Sequence, residues 1–157
     1  MRTWPLGYEK SKQKAKALYS KIGRVQSPAL NDEQVSFTNE GINHLLRKGR
    51  IPRPKNEQKR RFVLTPYIEK IIRNPKANIR YERRNTRIII NRHGEKILVQ
   101  SIADFWVFTE KIDDCIIKVV IRQLNPNGFK HFMSVMGNNV QIDKKARNKF
   151  ESKKPRK

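Results

Sequence analysis

Ile116 to Met136, IIKVVIRQLNPNGFKHFMSVM, is the stretch whose reading decides the fold. Two runs rich in β-branched and aromatic residues, Ile116 to Leu124 and Phe129 to Met136, flank the turn formers Asn125-Pro126-Asn127-Gly128. Side chains of this kind fit a pleated surface, and Asn, Pro and Gly between such runs mark a β-hairpin. Parity then limits what shares a face. A four-residue loop sets Arg122 opposite His131, and a two-residue Asn127-Gly128 turn keeps them on one face, whereas an odd-length loop brings Arg122 to the face of Ser134. One face therefore holds an arginine with either a histidine or a serine.

Working outward from this hairpin, Ile79 to Glu82, Arg87 to Asn91 and Lys96 to Phe108 share its two-residue period, and Arg92-His93-Gly94-Glu95 is a second hairpin signal. Before Asn74-Pro75 the period is helical. Tyr8 to Lys21 carries one apolar stripe and a lysine-rich face, and Gly23 ends it. Thr38 or Asn39 caps a second helix through Ile42, Leu45 and Leu46 to Lys48, closed by Gly49. A third spans Asn56 to Arg73, with Pro66 expected to kink or interrupt it. Ser27 to Asp32 reads as a loop, and Val35-Ser36-Phe37 as a brief strand. Helices followed by strands predict an α+β fold, with N-terminal helices packed on one face of a C-terminal antiparallel sheet of about four strands.

The 36 Lys and Arg against 14 Asp and Glu leave a formal charge of +22 on 157 residues. A polyanion neutralises such an imbalance, and nucleic acid is its commonest form. Most of the excess sits at the two ends and in Arg47 to Arg61, RKGRIPRPKNEQKRR, where eight basic residues surround one acid. Three units follow: a basic helical extension over 1–26, one α+β domain over 27–142, and a basic, flexible tail over 143–157. Pro52 and Pro54 keep the chain extended, so that Arg50, Arg53 and Lys55 are held apart. Arg47, Lys48, Arg60, Arg61 and Lys118 complete the expected nucleic-acid-binding set.

Cys115, the single cysteine, excludes an intrachain disulfide and reads as a buried thiol in a reducing compartment. No apolar run reaches membrane-spanning length and no secretory leader is recognisable, so the expected location is cytoplasmic, or outside the cell by a route the sequence does not show, with no membrane partner. Three histidines, one cysteine and scattered acids offer no metal-ligand spacing, and no Gly-rich phosphate loop is present, so neither metal nor cofactor is expected. A phosphodiesterase made from this chain has to work without a metal. RNA permits that route, because its 2′-OH is an internal nucleophile that needs only a base, cations and a proton donor. His44, beside the basic cluster, is the leading proton carrier. His93, in a hairpin turn, reads as solvated, and Trp106, flanked by Phe105, Val107 and Phe108, reads as core rather than as a base-stacking platform.

The order of features, Phe37-Thr38-Asn39-Glu40-Gly41-Ile42-Asn43-His44-Leu45, then Arg60-Arg61-Phe62, Phe105-Trp106, Lys118-Val119-Val120-Ile121-Arg122-Gln123 and Lys130-His131-Phe132-Met133-Ser134-Val135, resembles the barnase, EndoU, colicin and RelE-like superfamily of small RNases. The resemblance covers roughly Val35 to Met136 and is greatest to phage-associated and bacterial toxin members. It implies two helices on a four-stranded antiparallel sheet and metal-independent cleavage of RNA to a cyclic phosphate and a 5′-hydroxyl. By that pattern His44 is the general base or acid, Arg122 the phosphate clamp, and Ser134 or His131 a transition-state or leaving-group partner. The glutamate base of barnase-like members has no counterpart recognisable in the sequence. The expected partners are RNA (tRNA, mRNA or rRNA) and an acidic antitoxin or immunity protein whose negative surface complements the same groove. The rival reading is a non-catalytic RNA- or ribosome-binding protein, and what separates the two is whether His44, Arg122 and His131 or Ser134 converge in one cleft.

Overall fold

The chain's computed structural model describes residues 7–125 and 128–138. The expected tail over 143–157 and the tip of the last hairpin lie outside them. In chain order the elements are α1 (Tyr8–Ile22), β1 (Arg24–Ser27), a 3-10 turn (Pro28–Leu30), β2 (Glu33–Ser36), α2 (Asn39–Leu46), β3 (Arg47–Lys48), β4 (Ile51–Pro52), α3 (Lys55–Arg73), β5 (Asn78–Arg92), β6 (Glu95–Ile112), β7 (Cys115–Leu124) and β8 (His131–Gly137). The fold is α+β. Its sheet has six strands in the order β1-β2-β8-β7-β6-β5, not about four, and β3 and β4 pair as a separate small ribbon. The C-terminal half supplies four antiparallel strands, and β1 and β2 from the N-terminal half extend them. β2 joins β8 in parallel through the single pair Ser36↔His131, so the sheet is mixed. Val35 and Val25 are fully buried in the core, which draws the short β1–β2 hairpin onto the sheet's end.

α1 buries Ser11, Ala15 and Tyr19, a stripe of period four, and ends at Gly23 with φ +61°, the left-handed region that glycine enters without strain. Ala15, Tyr19 and Val25 belong to the same core as the sheet, so residues 8–26 pack as part of that body. α2 stops at Leu46, two residues short of the sequence expectation. Arg47 is already extended, and the turn at Gly49, φ +64°, folds Arg47 and Lys48 back on Pro52 and Ile51. α3 runs unbroken through Pro66, because Phe62, Leu64, Ile68, Ile71 and Ile72 on both sides are buried in one core, which offsets the lost backbone hydrogen bond.

The two strand segments read on either side of residues 83–86 are one strand, β5, paired to β6 from Asn78↔Thr109 to Arg92↔Glu95. His93 and Gly94, both at positive φ, make its tight turn. β7 covers β6 only from Ala103 to Ile112, so residues 85–102 project as a two-stranded ribbon. Cys115 is buried, and burial pushes its thiol up from the ordinary value. No helix among the described residues is long and apolar enough to cross a membrane.

The β7–β8 hairpin pairs Arg122 with His131 and Ile121 with Phe132, then shifts register so that Val120 faces Ser134. The extra residue is Met133. This bulge removes the either-or of the parity argument, because Arg122, His131 and Ser134 all stand on one face while Ile121, Phe132 and Val135 point into the core. Phe132 stacks on Phe37 with ring centroids 5.2 Å apart, and Tyr19 meets both rings edge-on at 5.3 and 5.8 Å. Gly41 of α2 rests against this cluster. A Cβ there would sit 2.6 Å from the Phe132 carbonyl oxygen and closer still to the Tyr19 hydroxyl. Gly41→Ala is therefore expected to destabilise the protein by about 1–3 kcal/mol despite its better helix propensity. Urea denaturation measures this, and an unchanged or raised midpoint would show that α2 can move away from β8.

Candidate functional site

Because β2 touches β8 at one pair only, α2 and α3 pack along the rest of that edge strand and carry polar side chains round to the far face of the sheet. A cleft of about 670 Å³ results, lined by His44, Lys48, Arg53, Glu57 and Arg61 on the helical side and by Phe105, Arg84, Thr86, Val120, Arg122 and Ser134 on the sheet side. Arg53, Arg122 and Ser134 are all more than nine-tenths buried.

The basic cluster at the start of α3 is ordered by one carboxylate. Glu57 Oε1 accepts from Arg53 Nη1 at 3.1 Å and from Arg61 Nη2 at 3.4 Å, as the spacing Arg53, Glu57, Arg61 allows on successive helical turns. Arg53 Nε also donates to the His44 carbonyl at 3.0 Å, and its Nη2 lies 3.4 Å from His44 Nδ1. An arginine can only donate, so Nδ1 is the acceptor and the ring proton sits on Nε2. Arg61 Nη1 donates to Ser134 Oγ at 3.0 Å and to the Val135 carbonyl at 2.7 Å, satisfying an oxygen of the edge strand. Arg61 Nε is buried without a protein partner. Behind Arg53, Gln58 Nε2 donates to the Arg53 carbonyl at 2.6 Å and Gln58 Oε1 accepts from the Tyr8 hydroxyl at 2.5 Å, so α1 braces the site.

Arg122 is clamped from the other side. Its Nη2 donates to Glu40 Oε1 at 2.5 Å and its Nε to His131 Nε2 at 3.2 Å. His131 Nε2 is therefore an acceptor, and Nδ1 faces the Phe129 carbonyl at 3.4 Å. With both ring nitrogens engaged, His131 positions Arg122 and does not line the main cleft. It borders a smaller depression with Thr38, Glu40 and Phe129. Of the sequence-derived candidates, the structure thus gathers His44, Arg122 and Ser134 with Lys48, Arg53 and Arg61 in one cleft. Arg47, Arg50, Lys55 and Arg60 are exposed outside it, and Lys118 is exposed on the same strand face as Arg122. Glu40, Glu57, Arg84 and Phe105 were missed. The i, i+4 spacing of Arg53, Glu57 and Arg61 was a usable signal for Glu57, whereas nothing local links Glu40 to Arg122.

Burial and the positive field of Arg53, Arg61 and Arg122 lower the His44 pKa to about 4, with Glu40 opposing. Burial and Arg122 likewise lower that of His131. Burial and the neighbouring Arg53 lower that of Arg61, against the pull of Glu57. Three guanidinium groups and a neutral imidazole around one space suit a tetrahedral anion and proton transfer beside it. An anion placed there cancels part of the field that depresses His44. Among the described residues no group of three or more His, Cys, Asp or Glu side chains is arranged to hold a metal ion. Comparison with protein-family models, with curated proteins and with solved structures gives no significant match.

Two consequences can be measured. The His44 ring resonances are expected to titrate near pH 4, and Arg53→Ala to move that midpoint upward, since a nearby positive charge is removed. A midpoint that stays put would remove Arg53 from the causes of the shift and leave burial with Arg61 and Arg122. The unfolded chain has an ordinary histidine pKa near 6.5 and so binds a proton that the folded site refuses between there and about 4. Stability from this source is complete above 6.5 and is lost as pH falls toward 4. His44→Gln is expected to flatten the fall in urea midpoint across that window.

Proposed function

We propose that the protein is a metal-independent endoribonuclease of toxin-like type, related to the barnase, EndoU, colicin and RelE-like RNases, which cleaves RNA by 2′-OH transesterification. The observation that carries this reading is the meeting of neutral His44 with Arg53, Arg61 and Arg122 in one cleft. A backbone phosphate seated among the three guanidinium groups competes for Arg53 and frees the Nδ1 lone pair of His44. His44 then takes the 2′-OH proton as the 2′-oxygen bonds to phosphorus. The arginines stabilise the charge that builds on the phosphorane oxygens, with the Ser134 hydroxyl as a further donor, and the departing 5′-oxygen takes a proton from water. Glu57 holds Arg53 and Arg61 at the spacing the phosphate needs, while Glu40 and His131 hold Arg122.

The exposed residues Arg47, Arg50, Lys55 and Arg60, together with Lys48 at the rim, supply sequence-independent affinity for the RNA backbone. The cytoplasm is the proposed compartment, and tRNA, mRNA or rRNA the proposed substrate. An acidic antitoxin or immunity protein fits the same cations. The rival, a non-catalytic RNA- or ribosome-binding protein, is favoured by this exposed ring of charge, which lies outside any site of chemistry.

Purified protein incubated with end-labelled RNA in EDTA is expected to give fragments ending in cyclic phosphates. His44→Ala is expected to slow this about 10²- to 10⁴-fold while RNA affinity stays within twofold. Intact RNA with salt-sensitive binding would establish the rival. For the wild type, kcat/KM is expected to rise through about pH 4 and level above it, as a base that must be unprotonated requires. Replacing Arg47, Arg50 and Lys55 by Gln is expected to reduce the slope of log affinity on log salt by about 2, at roughly 0.7 per phosphate contact. An unchanged slope would remove these residues from the binding surface.

A further inference from the structure

We propose that Arg84 and Phe105 form a nucleobase seat next to the arginine cradle, an inference that rests on reading the cleft as an RNA site. The sheet side of the cleft carries one aromatic ring, Phe105, and it is the direct cross-strand partner of Arg122. Trp106, one residue on, faces the opposite side of the sheet and lies under Lys130. Phe105 is only 5% exposed, because the Arg84 guanidinium covers it, with Cζ 4.0 Å from the ring centroid. One face of that guanidinium is thus spent on phenylalanine, while Arg84 itself is exposed and lines the cleft. A flat, cationic surface fixed from behind by an aromatic ring is what an unstacked base packs against, and Arg planes serve this purpose in single-stranded RNA recognition.

The placement suits one nucleotide. Arg84 stands on β5, Phe105 on β6 and Arg122 on β7, so the seat and the phosphate clamp are separated by two strand spacings, about 10 Å. Thr86, two residues beyond Arg84 on the same strand face, also lines the cleft and brings a hydroxyl to the rim beyond the stack. The helical side of the cleft offers charge and the sheet side offers this stack. A phosphate held by Arg53, Arg61 and Arg122 therefore sends its sugar and base toward β5 and β6. Stacking tolerates any base, so the seat contributes affinity and alignment at the scissile nucleotide before it contributes sequence preference.

The experiment is a titration of the whole protein with inorganic phosphate, ribose 5-phosphate, nucleoside 3′-monophosphates and uncharged nucleosides, followed by amide and side-chain NMR shifts. The wild type is expected to bind nucleotides at least tenfold more tightly than ribose 5-phosphate, with shifts at Arg84 and Phe105. Arg84→Ala, at an exposed position, is expected to weaken nucleotide binding about five- to a hundredfold and inorganic phosphate binding far less. Arg122→Ala is expected to weaken both. Equal affinity for nucleotide and ribose 5-phosphate, or equal losses of both in Arg84→Ala, would overturn the seat while leaving the phosphate cradle standing. Phosphate compounds that bind no better than uncharged nucleosides would instead remove the cradle, and the seat would then stand or fall on whether Arg84→Ala abolishes nucleoside binding. No binding by any of the four probes would overturn both.

Discussion

The packing of Phe132 against Phe37 and Tyr19 holds together three pieces of chain that are far apart in sequence. It pins β8 to the end of α1 and to the entry of α2, closely enough that only glycine fits at position 41. The Tyr19 hydroxyl, bonded to the Thr38 carbonyl at 2.5 Å, ties the same corner from its polar side. Met133 follows Phe132 directly, and the bulge there turns Ser134 onto the face of Arg122. An aromatic contact in the core thus fixes the phase of the strand that carries the polar groups of the cleft.

Around that frame the arginines are held by fewer acids than there are cations. Glu57 spans Arg53 and Arg61, and Glu40 takes Arg122, so three cations are ordered by two carboxylates that remain about half exposed. The local balance stays positive, and it is this surplus, together with burial, that keeps His44 uncharged. The same surplus makes the empty cleft electrostatically costly and favours an anion entering it. Charge, protonation state and ligand preference are therefore one property of the site. Deep burial of Arg122 also means that its two partners cannot be dispensable, since a buried guanidinium without acceptors is strongly destabilising.

A second polar knot lies at the opposite side of the sheet and keeps the long β5–β6 ribbon in register where β7 ends. Asp104 accepts from Tyr81, from Arg83 and from Asn125, and those donors hold its carboxyl well below the usual carboxylate range. It stands directly opposite Arg83 across the ladder. Just past it, Phe105 and Arg84 face the cleft. Register in the ribbon thus controls which residues reach the site, much as the bulge does in β8.

The amino-acid sequence by itself determined the helical first half and the stranded second half, through a change of period at Asn74-Pro75, and it determined both hairpins, through their turn residues. Helix α1 ended at Gly23 as its composition required, and the His93-Gly94 turn formed where two adjacent residues tolerate positive φ. Local rules suffice for such features, because backbone sterics and hydrophobic periodicity act within a few residues. The end of α2, the continuity of α3 through Pro66 and the addition of β1 and β2 were decided by burial, which a local reading does not see. So was most of the cleft. His44, Arg61 and Arg122 were legible as candidates from their surroundings in sequence. That Glu40 would grip Arg122 from 82 positions away, and Arg61 would reach Ser134 from 73, depended on the path of the chain round the open edge of β8. Contacts at such separations exist only after the core has formed, and for that reason tertiary structure alone could choose Phe105 over Trp106 and place Ser134 on the face of Arg122.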